Sequence, residues 1–245
     1  MTDILFERRG TAGLVTLNRP EALNAVTHAM VCALADQLAA WSSDPAITRV
    51  VVTAAGGRVF SAGGDLRALY DLGRAGRYAE ALQFWRDEYR LDALIKRYRK
   101  PYVSIIDGAA LGGGAGIAIH GSHRIAGDGF RFAMPEVGIG FFPDIGATWF
   151  LSRLAGEAGA YCALTGERLE AADARALGIA THSVPSRRVP ALLDGLCGAV
   201  PVDALLAAFA EPAPGRYSST TGWPSFCSSP RASSRPTKSV PPPGG

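Results

Sequence analysis

The amino-acid sequence predicts an α/β protein with one substantial domain. Apolar, β-branched runs alternate with helical patterns along most of the chain, which is typical of sheets with helices packed on them. The chain has 245 residues and is 48% hydrophobic, enough to bury one such core but not two. The pattern indicates a folded domain over residues 1–211 and a tail of different composition over residues 212–245.

The N-terminal elements follow from local signals. The segment "ILFERRGTAGLVTLNRP" predicts two strands around a glycine turn. The segment "THAMVCALADQLAAWSSD" predicts an amphipathic helix, with Thr27 as its N-cap. The β-branched run "RVVVTA" predicts the next strand.

A long helix is predicted before residue 97, because large apolar residues recur there at helical spacing. These residues are Tyr78, Leu82, Trp85, Tyr89, Leu94 and Ile95. A stripe of this kind usually packs in the core, so we expect it to be buried.

The second half of the domain continues the alternation. The segment "PYVSII" predicts a short buried strand, and "HRIAGDGFRFAMPEVGIG" predicts two more extended pieces broken by glycine and proline. Helical patterns follow at Ala147 to Leu154, Glu157 to Thr165 and Ala171 to Gly178.

The tail has a composition that disfavours folding. Of residues 212–245, 20 are Pro, Ser or Gly, so the segment lacks the apolar surface needed to offset the entropy of ordering, and we expect disorder. It also holds four of the 25 basic residues and none of the 22 acidic ones. The body is therefore close to neutral, which argues against a nucleic-acid partner.

Other classes are disfavoured by what the sequence lacks. It has no apolar run near 18 residues and no N-terminal signal pattern, so we expect no membrane partner and a cytoplasmic location. Its four cysteines are widely spread, which suits reduced thiols. His120 and His123 have metal-ligand spacing but no nearby Cys or carboxylate partner, so we expect no metal site.

Two glycine-rich turns, "SAGGDLRAL" and "DGAALGGGAGIAIHG", each follow an apolar strand and precede a helix. Each could be a plain strand-to-helix turn. Neither fits the dinucleotide fingerprint, and a Walker A lysine is missing. Backbone N–H groups that such turns leave unshielded could instead converge on one oxygen and form an oxyanion hole.

Five segments resemble the successive motifs of the crotonase (enoyl-CoA hydratase/isomerase) superfamily. They are "NRPEALNAV", "FSAGGDLRALY", "KPYVSIIDGAALGGGAGIAIHGSHRIAGD", "FAMPEVGIGFFPDIGATWFLSRLAG" and "LTGERLEAADARALGIATHSV". The resemblance runs from about residue 4 to residue 190 and is strongest to the 3-hydroxyisobutyryl-CoA hydrolase subfamily. It implies a crotonase-like fold of repeated ββα turns that binds an acyl-CoA substrate, with no cofactor beyond the coenzyme A of that substrate.

The resemblance also implies which backbone groups and residues contact the substrate. It implies an oxyanion hole formed by the N–H groups of Ala62 and Gly113. It places Gly63, Gly64 and Asp65 next to the substrate, where glycine lets the chain come close.

The acidic residues indicate the chemistry. Hydratases of the superfamily use two glutamates, but Gly116 stands at the first of those positions and only the second, Glu136, is present. Asp144 and Glu88 match the hydrolase subfamily, which implies a thioester hydrolase acting on a branched 3-hydroxyacyl-CoA from valine degradation. Glu136 would be the base or the nucleophile, Asp144 would orient the 3-hydroxyl group, and Glu88 would contact the substrate.

Alternatives stay open at this point. Glu88 could lie on a solvated helix face, and Asp144 could cap a turn. The whole chain could instead be a hydratase or isomerase, or an inactive acyl-CoA-binding fragment.

The helical pattern stops near Glu211, and the residues that follow resemble nothing in the family. Hydrolase relatives continue with helices that cover the acyl pocket and pack subunits, so we expect the C-terminal helical region to be largely missing and any homo-oligomer to be weakened. A frameshifted reading of a GC-rich gene is our hypothesis for this ending.

Overall fold

Short apolar runs form the strands, and the segments between them form helices, in the computed structural model of the protein, which describes residues 2–211. The strands are β1 (Ile4–Arg9), β2 (Ala12–Leu17), β3 (Arg49–Ala54), β4 (Val59–Ser61), β5 (Tyr102–Ile106), β6 (Ala109–Leu111), β7 (His123–Ala126), β8 (Arg131–Ala133), β9 (Leu169–Glu170) and β10 (His182–Ser183). The helices are α1 (His28–Ser43), α2 (Leu66–Arg74), α3 (Tyr78–Lys96), α4 (Gly113–Ile119), α5 (Ala147–Phe150), α6 (Ala158–Thr165), α7 (Ala171–Ala176), α8 (Val189–Leu196) and α9 (Val202–Phe209). The predicted tail, residues 212–245, lies outside the described residues.

Two sheets organise these elements. One has six strands in the order β1-β2-β3-β5-β7-β10, and the other has four strands in the order β4-β6-β8-β9. The strand pairs β1–β2 and β8–β9 are antiparallel, while all other neighbours run parallel. The parallel strands β3 and β5 are buried along most of their length, which explains their continuous apolar sequence.

The chain repeats one unit three times. The consecutive pairs β3–β4, β5–β6 and β7–β8 each place their first strand in the large sheet and their second in the small one. Helices follow the first two pairs directly, with α2 and α3 after β4, and α4 after β6. This confirms the predicted α/β architecture of ββα turns, and it brings the loops after β4 and β6 side by side.

Helix α1 begins where the sequence predicts. The Thr27 side chain accepts a hydrogen bond from the Met30 backbone N–H at 3.2 Å, as expected of an N-cap. None of the helices within residues 2–211 has the length and apolar character to cross a membrane.

Helix α3 exists as predicted, and the prediction of its buried face is confirmed only in part. Ile95 is buried, whereas Tyr78 and Leu82 are exposed. The face that packs inward also carries Glu88 and Asp92. The face that packs inward therefore differs from the apolar stripe, since it includes two carboxylic side chains. The hydrophobic pattern could not reveal a buried face that contains acids.

The loop before α1 is fixed by Asn24, which is buried in a left-handed backbone conformation. Its side-chain amide donates hydrogen bonds to the carbonyl oxygens of Ala55 and Val59, and its carbonyl oxygen accepts one from the Arg19 backbone N–H. The Ser61 hydroxyl in turn donates to the Asn24 backbone oxygen at 2.8 Å. These bonds fix the position of the glycine turn that follows β4.

Candidate active site

A cavity of about 490 Å³ lies between α3, the turn after β4, the start of α4 and the segment 135–144. Apolar side chains, among them Leu69, Phe84 and Trp85, form much of its wall. All but one of the predicted site residues line it, namely Ala62, Gly63, Gly64, Glu88, Gly113, Glu136 and Asp144. The fold therefore brings together residues up to 82 positions apart in the chain.

The structure corrects one of the two predicted oxyanion donors. The backbone N–H of Ala62 donates to the carbonyl oxygen of Leu23 at 3.0 Å, so it is not available to a ligand. Within residues 2–211, the N–H groups of Gly64 and Gly113 have no hydrogen-bond acceptor. A Cβ placed on Gly113 would lie 3.3 Å from the Gly64 nitrogen, so these two donors are close neighbours at the cavity wall. The geometry favours Gly64 and Gly113 as the donor pair.

Helix α4 begins at Gly113, and the first N–H groups of a helix have no acceptor inside it. The residue before it, Gly112, has φ +48°, and a Cβ there would lie 2.5 Å from Glu136 Oε1. A Cβ on Gly113 would lie 2.9 Å from Glu88 Oε1. Glycine at both positions therefore lets two carboxyl groups approach the donors.

Glu136 lies in a short 3-10 turn, Glu136–Ile139, directly after Pro135. Its side chain is buried, and within the described part of the chain Oε2 has no hydrogen-bond partner. Burial, and to a lesser degree the charge of Asp144, raise the pKa of Glu136 to about 7. A carboxyl group with this pKa can exchange a proton near neutral pH.

Asp144 faces the same cavity from the end of the segment. Its Oδ2 accepts a hydrogen bond from the Tyr89 hydroxyl at 2.8 Å. Burial raises the pKa of Asp144, and the Tyr89 hydrogen bond opposes that rise. The turn between Glu136 and Asp144 thus directs both carboxyl groups into the same cavity.

Glu88 is a cavity residue and not part of a solvated helix face. Its side chain is 4% exposed, and Oε1 has no hydrogen-bond partner in the described structure. Burial and the neighbouring Asp144 raise the pKa of Glu88 to about 8. At neutral pH Glu88 is therefore mostly protonated and can donate a hydrogen bond.

Asp92 is a fourth acid that sequence reasoning missed. It lies one helical turn after Glu88 on α3, is 6% exposed, and its Oδ2 has no partner among the described residues. Burial, followed by Glu88 and Asp144, raises its pKa well above the ordinary value. A Cβ on Gly116 would lie 2.6 Å from Asp92 Oδ1. The spacing of four residues from Glu88 was the available signal, but it does not distinguish a buried acid from an exposed one.

Asp65 has a different position from the one predicted. It does not line the cavity, and its two carboxylate oxygens are already used. One accepts a hydrogen bond from the Ala68 N–H at the start of α2, and the other pairs with Arg19 at 3.1 Å. Asp65 therefore holds the glycine turn in place and does not reach into the cavity.

The two histidines with metal-ligand spacing do not come together. His120 Nε2 lies 2.7 Å from the carbonyl oxygen of Ile145, and His123 Nε2 lies 2.9 Å from Asp203. They therefore point to different neighbours and do not form one site.

Comparisons with known proteins match the chain to one family. The family described as enoyl-CoA hydratase/isomerase matches residues 12–222. A Xenopus tropicalis protein named mitochondrial 3-hydroxyisobutyryl-CoA hydrolase is 48% identical over 79% of this chain and 50% of that protein. The Homo sapiens protein of the same name is 42% identical, with the same two shares. The chain spans about half the length of the curated relatives it matches.

Solved structures share the fold. A carnitinyl-CoA dehydratase from Mycobacterium thermoresistibile has a TM-score of 0.84 and 48% identity, covering 88% of this chain and 63% of that one. An enoyl-CoA hydratase from Rhodobacter sphaeroides has a TM-score of 0.80 and 40% identity, covering 87% and 62%. These similarities confirm the predicted crotonase-like fold.

The comparisons contradict the predicted cytoplasmic location. The vertebrate relatives are named as mitochondrial proteins. The prediction rested on the lack of a recognisable N-terminal signal, and that lack carries no information about where relatives of this kind reside.

The buried acids predict how stability depends on pH. Because the folded pKa of Glu88 is about 8, above its ordinary value of 4.5, the folded state binds this proton more tightly than the unfolded state. Its contribution is fully present below about pH 4.5 and is lost as the pH rises through 8. We expect Glu88→Gln to exceed the wild type in unfolding free energy at pH 8, by on the order of 1–3 kcal/mol, and to match it near pH 4.5. Urea unfolding at several pH values measures this difference.

The matched control is Glu80→Gln on the same helix, because Glu80 is exposed and pairs with Arg77. This variant should not gain stability as the pH rises. If Glu88→Gln gains no stability at pH 8 relative to pH 4.5, the burial of an uncompensated carboxyl at residue 88 is refuted.

Proposed function

Because the chain belongs to the enoyl-CoA hydratase/isomerase family, we propose that it hydrolyses the thioester of a 3-hydroxyacyl-CoA of the 3-hydroxyisobutyryl-CoA class. One observation carries the proposal: the cavity combines two free backbone N–H groups with several buried carboxyl groups. The curated relatives named as hydrolases support it. A role in valine degradation and the activity of a chain of this length are part of the same proposal.

The thioester carbonyl oxygen would accept hydrogen bonds from the N–H groups of Gly64 and Gly113. Negative charge grows on this oxygen when a nucleophile adds to the carbonyl carbon, so donors fixed in advance stabilise the transition state more than the substrate. Each donor of this kind contributes roughly 3–4 kcal/mol in other oxyanion holes.

Glu136 would supply the base or the nucleophile. As a base it takes a proton from water, whose oxygen attacks the carbonyl carbon; as a nucleophile its own carboxylate forms an anhydride that water then opens. In both versions the carbon–sulfur bond breaks, and the products are coenzyme A thiol and a carboxylic acid. A pKa near 7 suits either version, because a useful fraction of Glu136 is ionised at neutral pH.

Asp144 and Glu88 would define the acyl group. Asp144 is held by Tyr89 and can accept a hydrogen bond from the 3-hydroxyl group of the substrate. Glu88, protonated near neutral pH, can donate to an oxygen of the substrate. A substrate whose acyl group has no hydroxyl would offer Asp144 and Glu88 no hydrogen-bond partner, which would cost binding energy.

Hydration or dehydration is the second candidate, because the solved structures named above include a dehydratase and a hydratase. Hydratases of the superfamily use a second glutamate at the position of Gly116, which has no side chain, and the carboxyl group that Gly116 faces, Asp92, does not line the cavity. The other two acids of the cavity, Glu88 and Asp144, match the hydrolase subfamily instead. We therefore rank hydrolysis first.

The main prediction is that the wild-type chain releases free thiol from 3-hydroxyisobutyryl-CoA and leaves the enoyl absorbance of crotonyl-CoA unchanged. Glu136→Gln should lower thiol release by at least about 100-fold, because the amide keeps the shape but cannot act as base or nucleophile. Binding of the CoA ester, measured by calorimetry, should survive. Loss of enoyl absorbance with crotonyl-CoA, or near wild-type turnover of the variant, would refute the assignment.

The second prediction concerns substrate choice. Asp144→Asn keeps the size of the side chain but weakens the acceptor for the 3-hydroxyl group. We expect kcat/KM to fall more for 3-hydroxyisobutyryl-CoA than for isobutyryl-CoA, by roughly tenfold or more, as for a lost charged hydrogen bond. Equal losses on both esters would show that Asp144 does not recognise the hydroxyl group.

A further inference from the structure

A second cluster of reactive side chains lies outside the cavity, where α1 packs against α3. His28 and Cys32 are one turn apart on the exposed face of α1, and Asp87 reaches them from α3. One nitrogen of His28, the sulfur of Cys32 and one oxygen of Asp87 all lie within 4.8 Å of one another. Sequence reasoning missed this group because Asp87 is 55 positions from Cys32.

The neighbours of Asp87 already orient it. His28 Nε2 lies 2.9 Å from Asp87 Oδ2, and the Gln83 amide donates to the same oxygen at 2.8 Å. Arg90 donates to the other oxygen, Oδ1, at 3.0 Å. The side chain of Asp87 is half-buried, so its carboxylate is held towards the two residues of α1.

We propose that His28, Cys32 and Asp87 form a binding site for a divalent cation of the zinc class. Imidazole nitrogen, thiolate sulfur and carboxylate oxygen are the donor set that such cations prefer. With metal–ligand distances of about 2.0–2.3 Å, tetrahedral ligand atoms lie roughly 3.3–3.6 Å apart. The present atoms all lie within 4.8 Å of one another, so binding would require the side chains to rotate towards that spacing, with solvent as the fourth ligand.

A cation suits these three residues, because the carboxylates of Asp87 and Asp36 lie near the Cys32 thiol and attract a positive charge. Two groups compete with the metal for Asp87, namely the Arg90 guanidinium at Oδ1 and the Gln83 amide at Oδ2.

A bound cation would link two helices next to the candidate active site. The His28 ring packs edge-on against Phe84, with ring centroids 6.3 Å apart, and Phe84 lines the main cavity. A metal-bridged α1–α3 contact would therefore fix one wall of that cavity. The site does not depend on the proposed hydrolase activity.

The test is titration of the chelator-treated full chain with Co²⁺, followed by competition with Zn²⁺. We expect a thiolate-to-cobalt absorption band in the near ultraviolet that saturates at one equivalent and disappears when Zn²⁺ is added. Cys32→Ser should abolish the band, and Cys227→Ser, the matched cysteine control outside the described residues, should keep it. A band that survives Cys32→Ser, or no band when Co²⁺ is in excess over the chain, would overturn the proposal.

Two further variants separate metal ligation from a merely structural role. Asp87→Asn should weaken Zn²⁺ binding by at least about tenfold in calorimetry, because the amide is a poor ligand. Arg90→Ala should strengthen it, because removing the competing cation frees Asp87. Circular dichroism of the metal-free variants checks that they are folded. Weaker binding by a folded Arg90→Ala variant would contradict the assignment of Asp87 as a ligand.

Discussion

Burying several carboxyl groups around one cavity is the constraint on which the site depends. Glu88, Asp92 and Glu136 are almost fully buried, and in the described part of the chain none of them forms an ion pair. Ionised acids in such surroundings are costly, so all three pKa values rise, to about 7 for Glu136 and to about 8 for Glu88. The same arrangement that lowers stability at high pH supplies groups able to give and take protons during catalysis.

The glycine turns leave the space that those acidic side chains occupy. Where Gly112 and Gly113 stand, a Cβ would collide with Glu136 or Glu88, so side-chain oxygens can approach the free N–H groups only at glycine. Hydrogen bonds made by the side chains of Asn24 and Asp65 fix the neighbouring turn, which follows β4. Donors and acids thus meet because the ββα repeat places two turns side by side.

Much of this was predictable from the sequence. Strand and helix positions, the Thr27 cap and most cavity residues followed from periodicity, turn chemistry and family motifs. Three features did not. Helix α3 buries acids on a face that the apolar stripe does not mark, the N–H of Ala62 is used by Leu23, and Asp92 is buried against Gly116 by tertiary packing. Each depends on contacts between segments far apart in the chain, which local patterns do not encode.

The central claim is that the N–H groups of Gly64 and Gly113 polarise a thioester carbonyl beside these acids. Isotope-edited infrared spectroscopy of a ¹³C=O-labelled acyl-CoA bound to the Glu136→Gln variant tests it most directly. The account predicts a carbonyl stretch at lower frequency than in water, and a return towards the water value when Gly113→Ala is added, since the new Cβ lies 3.3 Å from the Gly64 nitrogen. A bound carbonyl frequency equal to that in water, or one unaffected by Gly113→Ala, would contradict it.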